Sequence, residues 1–172
     1  MRHLVLLGGS TGVGKSTAMK LLETRLAKAG FLDVDYVLRT SPDLAGERRR
    51  VYVPQQVVET IWRYLDFGCD TVVVSWVFAH AWQYQPILDA FRIDVDRITQ
   101  LYLVADEREL LNRVKLRFKA QGSDGDLQGR LEFAVNRSQL IENLPFQKID
   151  VTSIGPVEMA DRVATEILER TT

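Results

Sequence analysis

Apolar positions along the chain fall into two patterns: short unbroken runs, and longer stretches with a period of three to four residues. The short runs predict buried strands at 3–7, 31–37, 71–77, 98–104 and 148–151. The longer stretches predict helices at 16–29, about 54–67, near 86–91, from Asp106 up to 120, about 127–143 and from Pro156 onward. Since strands and helices alternate with short connections, we expect an α/β protein with three layers, in which helices cover both faces of a five-stranded parallel sheet.

Several local signals refine this outline. The unbroken run TVVVSWV at 71–77 predicts a strand at the centre of the sheet. Gly30 is expected to end the first helix, and Pro54 to lie in the first turn of the second. Asp106 followed by Glu109 is typical of a helix start. Residues 40–50 are polar and predict a loop or an insert. Without an interdomain linker, residues 1–172 are interpreted as one domain.

Composition narrows the possible functions. The chain has 172 residues, with 22 Lys+Arg, 23 Asp+Glu and a formal net charge of -1. This near-neutral balance argues against broad affinity for nucleic acids or anionic membranes. The single cysteine, Cys69, excludes an intramolecular disulfide and a CxxC metal site. The apolar run at the amino terminus is shorter than a signal peptide requires, and no run reaches the roughly 18 residues of a membrane span. We therefore expect a cytoplasmic protein; its oligomeric state cannot be inferred from the sequence.

One segment carries a specific chemical signal. Residues 9–16 match the pattern G-x-x-x-x-G-K-[ST] at every fixed position, between a predicted strand and a predicted helix. Backbone N–H groups of such a loop surround phosphate, and the helix amino terminus adds positive charge. Lys15 would reach the β- and γ-phosphates of ATP, and the Ser16 hydroxyl would bind Mg²⁺. The predicted ATP-binding residues are Gly9, Ser10, Thr11, Gly12, Val13, Gly14, Lys15, Ser16 and Thr17.

Two carboxylates are candidates for the rest of the chemistry. Many P-loop ATPases end their third strand in an acidic residue that holds Mg²⁺, but here that run ends Val74-Ser75-Trp76. Asp33 and Asp35 are two apart on the predicted second strand, so both should point to one side at its carboxyl end. We predict that Asp33 assists the metal and that Asp35 accepts the proton of a hydroxyl acceptor. A pair of solvated loop carboxylates is the alternative.

The segments GGSTGVGKST, FLDVDYVL and VVVS together resemble the small-molecule kinases of the P-loop superfamily, which include gluconate kinases, shikimate kinases and chloramphenicol phosphotransferases. The resemblance implies an ATP-dependent phosphotransferase with a mobile lid over the phosphates. The segment QGSDGD at 121–126 lies in the position of that lid, which we place around 118–130. It lacks the histidine and phenylalanine that are usual in the lid of gluconate kinases, so gluconate itself is in doubt. No N-K-x-D motif of a GTPase is present.

Arginines flank the predicted lid. Arg113 and Arg117 share one face of the helix before it, and Arg130 and Arg137 share a face of the helix after it. Such arginines could neutralise charge during phosphoryl transfer, or they could be solvated. The resemblance implies that Arg113 lies against the adenine and that the later arginines reach phosphate. We therefore predict a catalytic role for Arg117.

The acceptor is expected to bind to two segments. One is an insert around 38–66, between the second and third strands, and the other follows the third strand. Arg39 and the arginines at 48–50 could bind an anionic acceptor or belong to a solvated loop. Trp76 could line an acceptor pocket or pack in the core. Arg39, Trp76, Arg137 and Asp35 are the predicted acceptor-binding residues, whereas His80 is interpreted as a surface or satisfied polar residue.

The sequence thus favours a kinase that uses ATP and Mg²⁺ to phosphorylate a hydroxyl of a small molecule. A nucleoside or nucleotide kinase is the alternative within enzymes. An ATP-binding regulatory module with little catalysis is the alternative from another class. The sequence does not name the acceptor.

Overall fold

The computed structural model describes residues 1–37, 46–122 and 125–169, which form a five-stranded parallel sheet between two layers of helices. The strands are β1 (His3–Gly9), β2 (Ala29–Asp33), β3 (Thr71–Ser75), β4 (Arg97–Val104) and β5 (Gln147–Asp150). The helices are α1 (Lys15–Leu22), α2 (Gly46–Asp66), α3 (Ala81–Phe91), α4 (Glu107–Ala120), α5 (Leu127–Glu142) and α6 (Pro156–Glu169). The strand order is β2-β3-β1-β4-β5, and every neighbouring pair is parallel. The predicted three-layer α/β architecture is confirmed.

The two faces of the sheet build two separate cores. Along β1, Val5 and Leu7 enter one core while Leu4 and Leu6 enter the other, as the period of two in a strand requires. Helices α1 and α6 pack together over the first core, and α2 and α3 over the second. The central strand is β1; β3 lies beside it, between β1 and β2. The prediction that β3 is the sheet centre is therefore wrong, although β3 is paired on both edges.

The boundary between the first helix and the second strand differs from the prediction. Helix α1 ends at Leu22 and β2 begins at Ala29, so Gly30 lies in a strand and does not end a helix. Gly30 pairs with Val72, and a Cβ at Gly30 would come within 2.7 Å of the Tyr64 ring. The glycine is needed there because an aromatic side chain of α2 covers the strand. Beyond Asp33 the chain turns into a single 3-10 turn, Val34–Tyr36.

Helix α2 is longer than predicted. It begins at Gly46, so Pro54 lies within the helix and not in its first turn. A buried stripe runs along one side: Val53, Pro54, Val57, Ile61 and Leu65. Burial of this stripe, Pro54 included, against the sheet offsets the hydrogen bond that proline cannot donate. Helix α2 fills 46–66 of the predicted acceptor-binding insert; residues 38–45 lie outside the described residues.

The two helices that flank the predicted lid, α4 and α5, each begin with an aspartate cap. Asp106 accepts a hydrogen bond from the backbone N of Glu109 at 2.7 Å, which confirms the predicted start of α4. Asp126 accepts from the backbone N of Gly129 at 2.8 Å and caps α5. Residues 123–124 of the lid lie outside the described residues. In the part of the chain that the structure describes, no helix is both long enough and apolar enough to cross a bilayer.

A buried histidine in the central strand predicts acid sensitivity of the fold. His3 is 1% exposed, and its Nε2 lies 2.8 Å from Thr99 Oγ1. Burial, reinforced by nearby Arg97, lowers the pKa of His3 to about 4. The unfolded chain protonates this histidine near pH 6.5. Above that pH the group does not destabilise the folded state, and as the pH falls from 6.5 towards 4 the free energy of unfolding decreases. We expect the free energy of unfolding to drop by about 2 kcal/mol from this group between pH 7 and pH 5.

Urea unfolding at pH 7, 6 and 5 measures this contribution. A His3→Gln variant is the matched control, because it removes the titrating group and should show a shallower dependence of stability on pH. The same slope in both proteins would contradict the assignment.

Candidate active site

The loop between β1 and α1 has the backbone geometry of a phosphate cradle. Gly12 and Gly14 have φ angles of 87° and 116°, in the region that side chains rarely adopt. A Cβ at Gly12 would come within 2.6 Å of Val114 Cγ2, so the loop lies directly against α4. Gly14 occupies the N-cap position of α1, whose amino terminus therefore opens into the site.

Lys15 folds over this loop. Its Nζ donates hydrogen bonds to the carbonyl oxygens of Gly9 at 2.8 Å and Ser10 at 3.0 Å. Burial lowers the pKa of Lys15 to about 8; Asp35 and Asp33 act in the opposite direction, and Arg117 adds to the lowering. A bound polyanion would place negative charge beside this ammonium group and favour its charged form.

Ser16 and Asp33 face each other from α1 and β2. Ser16 Oγ donates to Asp33 Oδ2 at 3.1 Å. The other carboxylate oxygen, Oδ1, accepts from the backbone N of Asp35 at 3.1 Å and caps the 3-10 turn. A hydroxyl and a carboxylate at this separation are oxygen donors that suit Mg²⁺, with phosphate oxygens and water completing its coordination. Within the described residues there is no cluster of three or more histidine, cysteine or acidic side chains that could hold a metal by itself.

Asp35 reaches the same site by a different route from the one predicted. It lies in the 3-10 turn after β2 and not on the strand, so the argument from strand periodicity is wrong for this residue. The turn forms because the Asp33 carboxylate binds the Asp35 backbone N. Asp35 nevertheless lines the cavity that contains Lys15 and Asp33, and its charge acts on Lys15.

These residues line a cavity of about 880 Å³, within the range of cofactor and small-molecule sites. Ten of the predicted site residues line it: Thr11, Gly12, Gly14, Lys15, Ser16, Thr17, Asp33, Asp35, Arg113 and Arg117. Three loop residues, Gly9, Ser10 and Val13, do not line it, and all three are buried. Ser10 Oγ donates to the carbonyl oxygen of Ala134 in α5 at 2.6 Å, so it anchors the loop.

Arg113 joins three parts of the site. Its guanidinium donates to Glu109 Oε1 at 2.7 Å, to the carbonyl oxygen of Val13 at 3.1 Å and to that of Val151 at 2.7 Å. It thereby ties the phosphate loop to α4 and to the chain after β5. Arg117, one turn later, is exposed and also lines the cavity.

Two of the predicted acceptor-binding residues, Trp76 and Arg137, do not line the cavity. Trp76 is only 4% exposed and packs edge-on against Phe78 and Trp82, with ring centroids 5.9 and 5.4 Å away. It is absent from the cavity lining, which favours its packing role. Arg137 lies outside the cavity and contacts His80. Arg39 lies outside the described residues.

The cavity also has a wall that the sequence did not reveal. Tyr36 lies beside Asp35, while Ile154, Pro156 and Met159 close the side near Arg113. Apolar residues directly after the last strand were the available signal, because parallel strands end at the same edge of the sheet.

No protein-family model and no curated protein matches the sequence. Solved structures do match the fold over nearly the whole chain. A tunicamycin resistance protein from Deinococcus radiodurans has a TM-score of 0.69 and 16% identity, covering 97% of this chain and 96% of its own. A gluconokinase from Sinorhizobium meliloti 1021 has a TM-score of 0.63 and 14% identity, covering 100% of both chains.

A shikimate kinase from Acinetobacter baumannii, in complex with shikimate, has a TM-score of 0.59 and 16% identity, covering 99% of this chain and 94% of its own. At these identities the likeness concerns the fold, and it agrees with the resemblance that the sequence motifs carry. The chain therefore has the three-layer fold of P-loop small-molecule kinases.

Proposed function

We propose that the protein is an ATP-dependent phosphotransferase that moves the γ-phosphate of Mg·ATP to a hydroxyl group of a small molecule in the cytoplasm. The observation that carries the proposal is the convergence of Lys15, the Ser16–Asp33 pair and Asp35 on one cavity. A cation, a pair of metal ligands and a separate carboxylate are what transfer to a hydroxyl requires.

The phosphate loop holds the nucleotide. Backbone N–H groups of residues 10–16 and the amino terminus of α1 would surround the phosphates, while Ser16 and Asp33 would hold Mg²⁺. Bound Mg²⁺ would offset charge on the phosphate oxygens. Lys15 exchanges its bonds to Gly9 and Ser10 for bonds to phosphate, which favours its charged form.

Asp35 supplies the base. As the acceptor oxygen forms its bond to the γ-phosphorus, the bond between that phosphorus and the oxygen of the leaving diphosphate breaks. The hydroxyl proton passes to the Asp35 carboxylate, and ADP leaves. Lys15 and Arg117 stabilise the negative charge that is shared among the phosphate oxygens during transfer.

A nucleoside or nucleotide kinase is the second candidate. It is favoured by the arginines in the first turns of α2, the helix between the second and third strands, where we expect the acceptor to bind. An acceptor with a phosphate of its own would use such residues.

A panel of acceptors, assayed by ADP release, tests the proposed function. The panel contains gluconate, shikimate, tunicamycin, chloramphenicol, neutral sugars, nucleosides and nucleotides. We expect one class to raise ADP release at least about tenfold above the rate with ATP and Mg²⁺ alone, and a phosphorylated product by mass spectrometry. Tight binding of Mg·ATP with no stimulation by any acceptor would instead support a regulatory module.

A further inference from the structure

The cavity of the candidate active site extends along the carboxyl edge of the sheet to both sides of the phosphate loop. That loop follows β1, the central strand, while β2 and β5 are the two outer strands. On the β5 side the cavity is lined by Ile154, Pro156 and Met159, together with Arg113 of α4. On the β2 side the lining comes from α1, β2 and the 3-10 turn: Lys20, Glu23, Phe31, Asp33, Asp35 and Tyr36. We call this second part the β2 compartment.

The two ligands of the proposed reaction have to share this cavity. Asp35, the proton acceptor of that reaction, lies in the β2 compartment, so the γ-phosphate and the acceptor hydroxyl must both come close to it. The nucleobase is at the opposite end of the triphosphate chain and therefore lies towards β5. Among the described residues, none from α2 or α3 lines the cavity. The β2 compartment is therefore the part of the cavity that is left for the acceptor.

The 3-10 turn after β2 explains why an aromatic ring borders this compartment. The backbone N of Val37 donates to the carbonyl oxygen of Val34 at 3.1 Å, and both valines pack in the second core. Because such a turn has three residues, Asp35 and Tyr36 fall on its outer side and line the cavity. Tyr36 is 69% exposed, although it is a large aromatic residue. The turn therefore presents a carboxylate and a ring next to each other.

Phe31 gives the β2 compartment a second apolar surface. It lies two residues before Asp33 on β2, so the two side chains are on the same face of the sheet. On that face Phe31 packs against the first core, and it also lines the cavity. Lys20 and Glu23 lie one and two turns after Ser16 on α1, where both are exposed at the rim of the compartment. Since this rim carries one charge of each sign, the two rings are what gives the compartment its selectivity.

We propose that the β2 compartment binds acceptors that carry an aromatic or apolar ring close to the hydroxyl, and that Tyr36 is the residue that selects them. The ring of the acceptor would lie against Tyr36 and Phe31 while its hydroxyl faces Asp35. Contacts between aromatic rings contribute to binding beyond the area that they bury. The inference rests on the proposed function in that it names the chemical class of the acceptor. Tyr36 is a binding residue here and takes no part in the proton transfer.

Direct binding to the protein saturated with Mg·ADP tests the compartment without any transfer, because the nucleotide then occupies the rest of the cavity. The probes are phenylethylene glycol and propylene glycol, which share a pair of hydroxyl groups and differ in a phenyl or a methyl group. Saturation-transfer NMR detects the bound ligand, and a titration gives its Kd. We expect phenylethylene glycol to bind at least about fivefold more tightly than propylene glycol. Equal affinities, or no detectable binding of phenylethylene glycol, would overturn the proposal.

A Tyr36→Ala variant should weaken the binding of phenylethylene glycol at least about fivefold and leave that of propylene glycol nearly unchanged. Tyr36→Phe keeps the ring and should bind as the wild type does, which separates a ring contact from a hydrogen bond of the hydroxyl. Tyr36→Leu serves if the alanine variant does not fold. Phe67→Ala is the matched control, because it removes a ring that is 88% exposed just after α2 and outside the cavity lining. Full affinity in Tyr36→Ala would refute the role of Tyr36.

Ring binding and phosphotransfer can fail separately. Once the acceptor panel identifies a substrate, Tyr36→Ala should raise its KM at least about fivefold while kcat changes far less. Ring-dependent binding combined with no phosphotransfer to any acceptor would refute the proposed function and leave the compartment standing. Transfer only to acceptors that lack an aromatic or apolar ring would refute the selectivity of the compartment and leave the function standing.

Discussion

Replacing Lys15 by alanine is expected to lower phosphotransfer by at least about 100-fold, because it removes a preorganised cation from the charge that develops on the transferred group. The fold should persist, since within the described part of the chain Nζ donates its hydrogen bonds to the carbonyl oxygens of Gly9 and Ser10 and not to the sheet or a neighbouring helix. ADP release and thermal unfolding measure the two effects. Lys115→Ala, an exposed change on α4, is the control and should keep wild-type activity.

The pH dependence of nucleotide binding gives a second measurement on the same residue. Because burial lowers the pKa of Lys15 to about 8, the free protein loses this charge as the pH rises through 8. Affinity for Mg·ATP should therefore weaken above pH 8 in the wild type, since binding then requires uptake of a proton. Lys15→Arg remains charged and should lose that dependence. Wild-type transfer by Lys15→Ala would refute the assignment of the phosphate loop.

Asp35→Asn should lower phosphotransfer by about 10²- to 10⁴-fold, the usual contribution of a positioned base, while affinity for Mg·ATP stays close to that of the wild type. The amide keeps the shape of the side chain but cannot accept the hydroxyl proton. Single-turnover transfer to the identified acceptor, with nucleotide affinity measured separately, tests this. Asp89→Asn, an exposed change on α3, is the control.

An Asp33→Asn variant distinguishes the role of Asp33 from that of Asp35. Asp33 binds the Ser16 hydroxyl, so its loss should raise the Mg²⁺ concentration needed for activity. Full transfer by Asp35→Asn would move the role of base to Asp33. If neither change affects transfer or nucleotide binding, the regulatory module gains support.

Much of the fold and of the nucleotide side of the site could be predicted because the signals are local. Residues 9–16 specify a phosphate loop through glycines and a lysine that are adjacent in sequence, and the structure bends that segment between a strand and a helix. The capping of α4 by Asp106 depends on four residues in a row. The roles of Asp33 and Asp35 stay predictions, but their placement at the end of the second strand already brought them towards the same edge of the sheet.

The acceptor side could not be predicted, because its residues come together only through packing. Trp76 is hidden by Phe78 and Trp82 because the chain after β3 folds back over the second core. Arg137 of α5 contacts His80 across 57 residues, and the same helix is bound to Ser10 by a hydrogen bond across 124 residues.

The sequence by itself determined the alternation of strands and helices, the layered sheet and the phosphate loop, since periodicity and short-range motifs encode them within a few residues. Only the tertiary structure decided that β1 is the central strand and that Arg113 bridges the loop to Val151. Those outcomes depend on which surfaces pack and which backbone groups find partners, and such choices are made between segments that are distant in sequence.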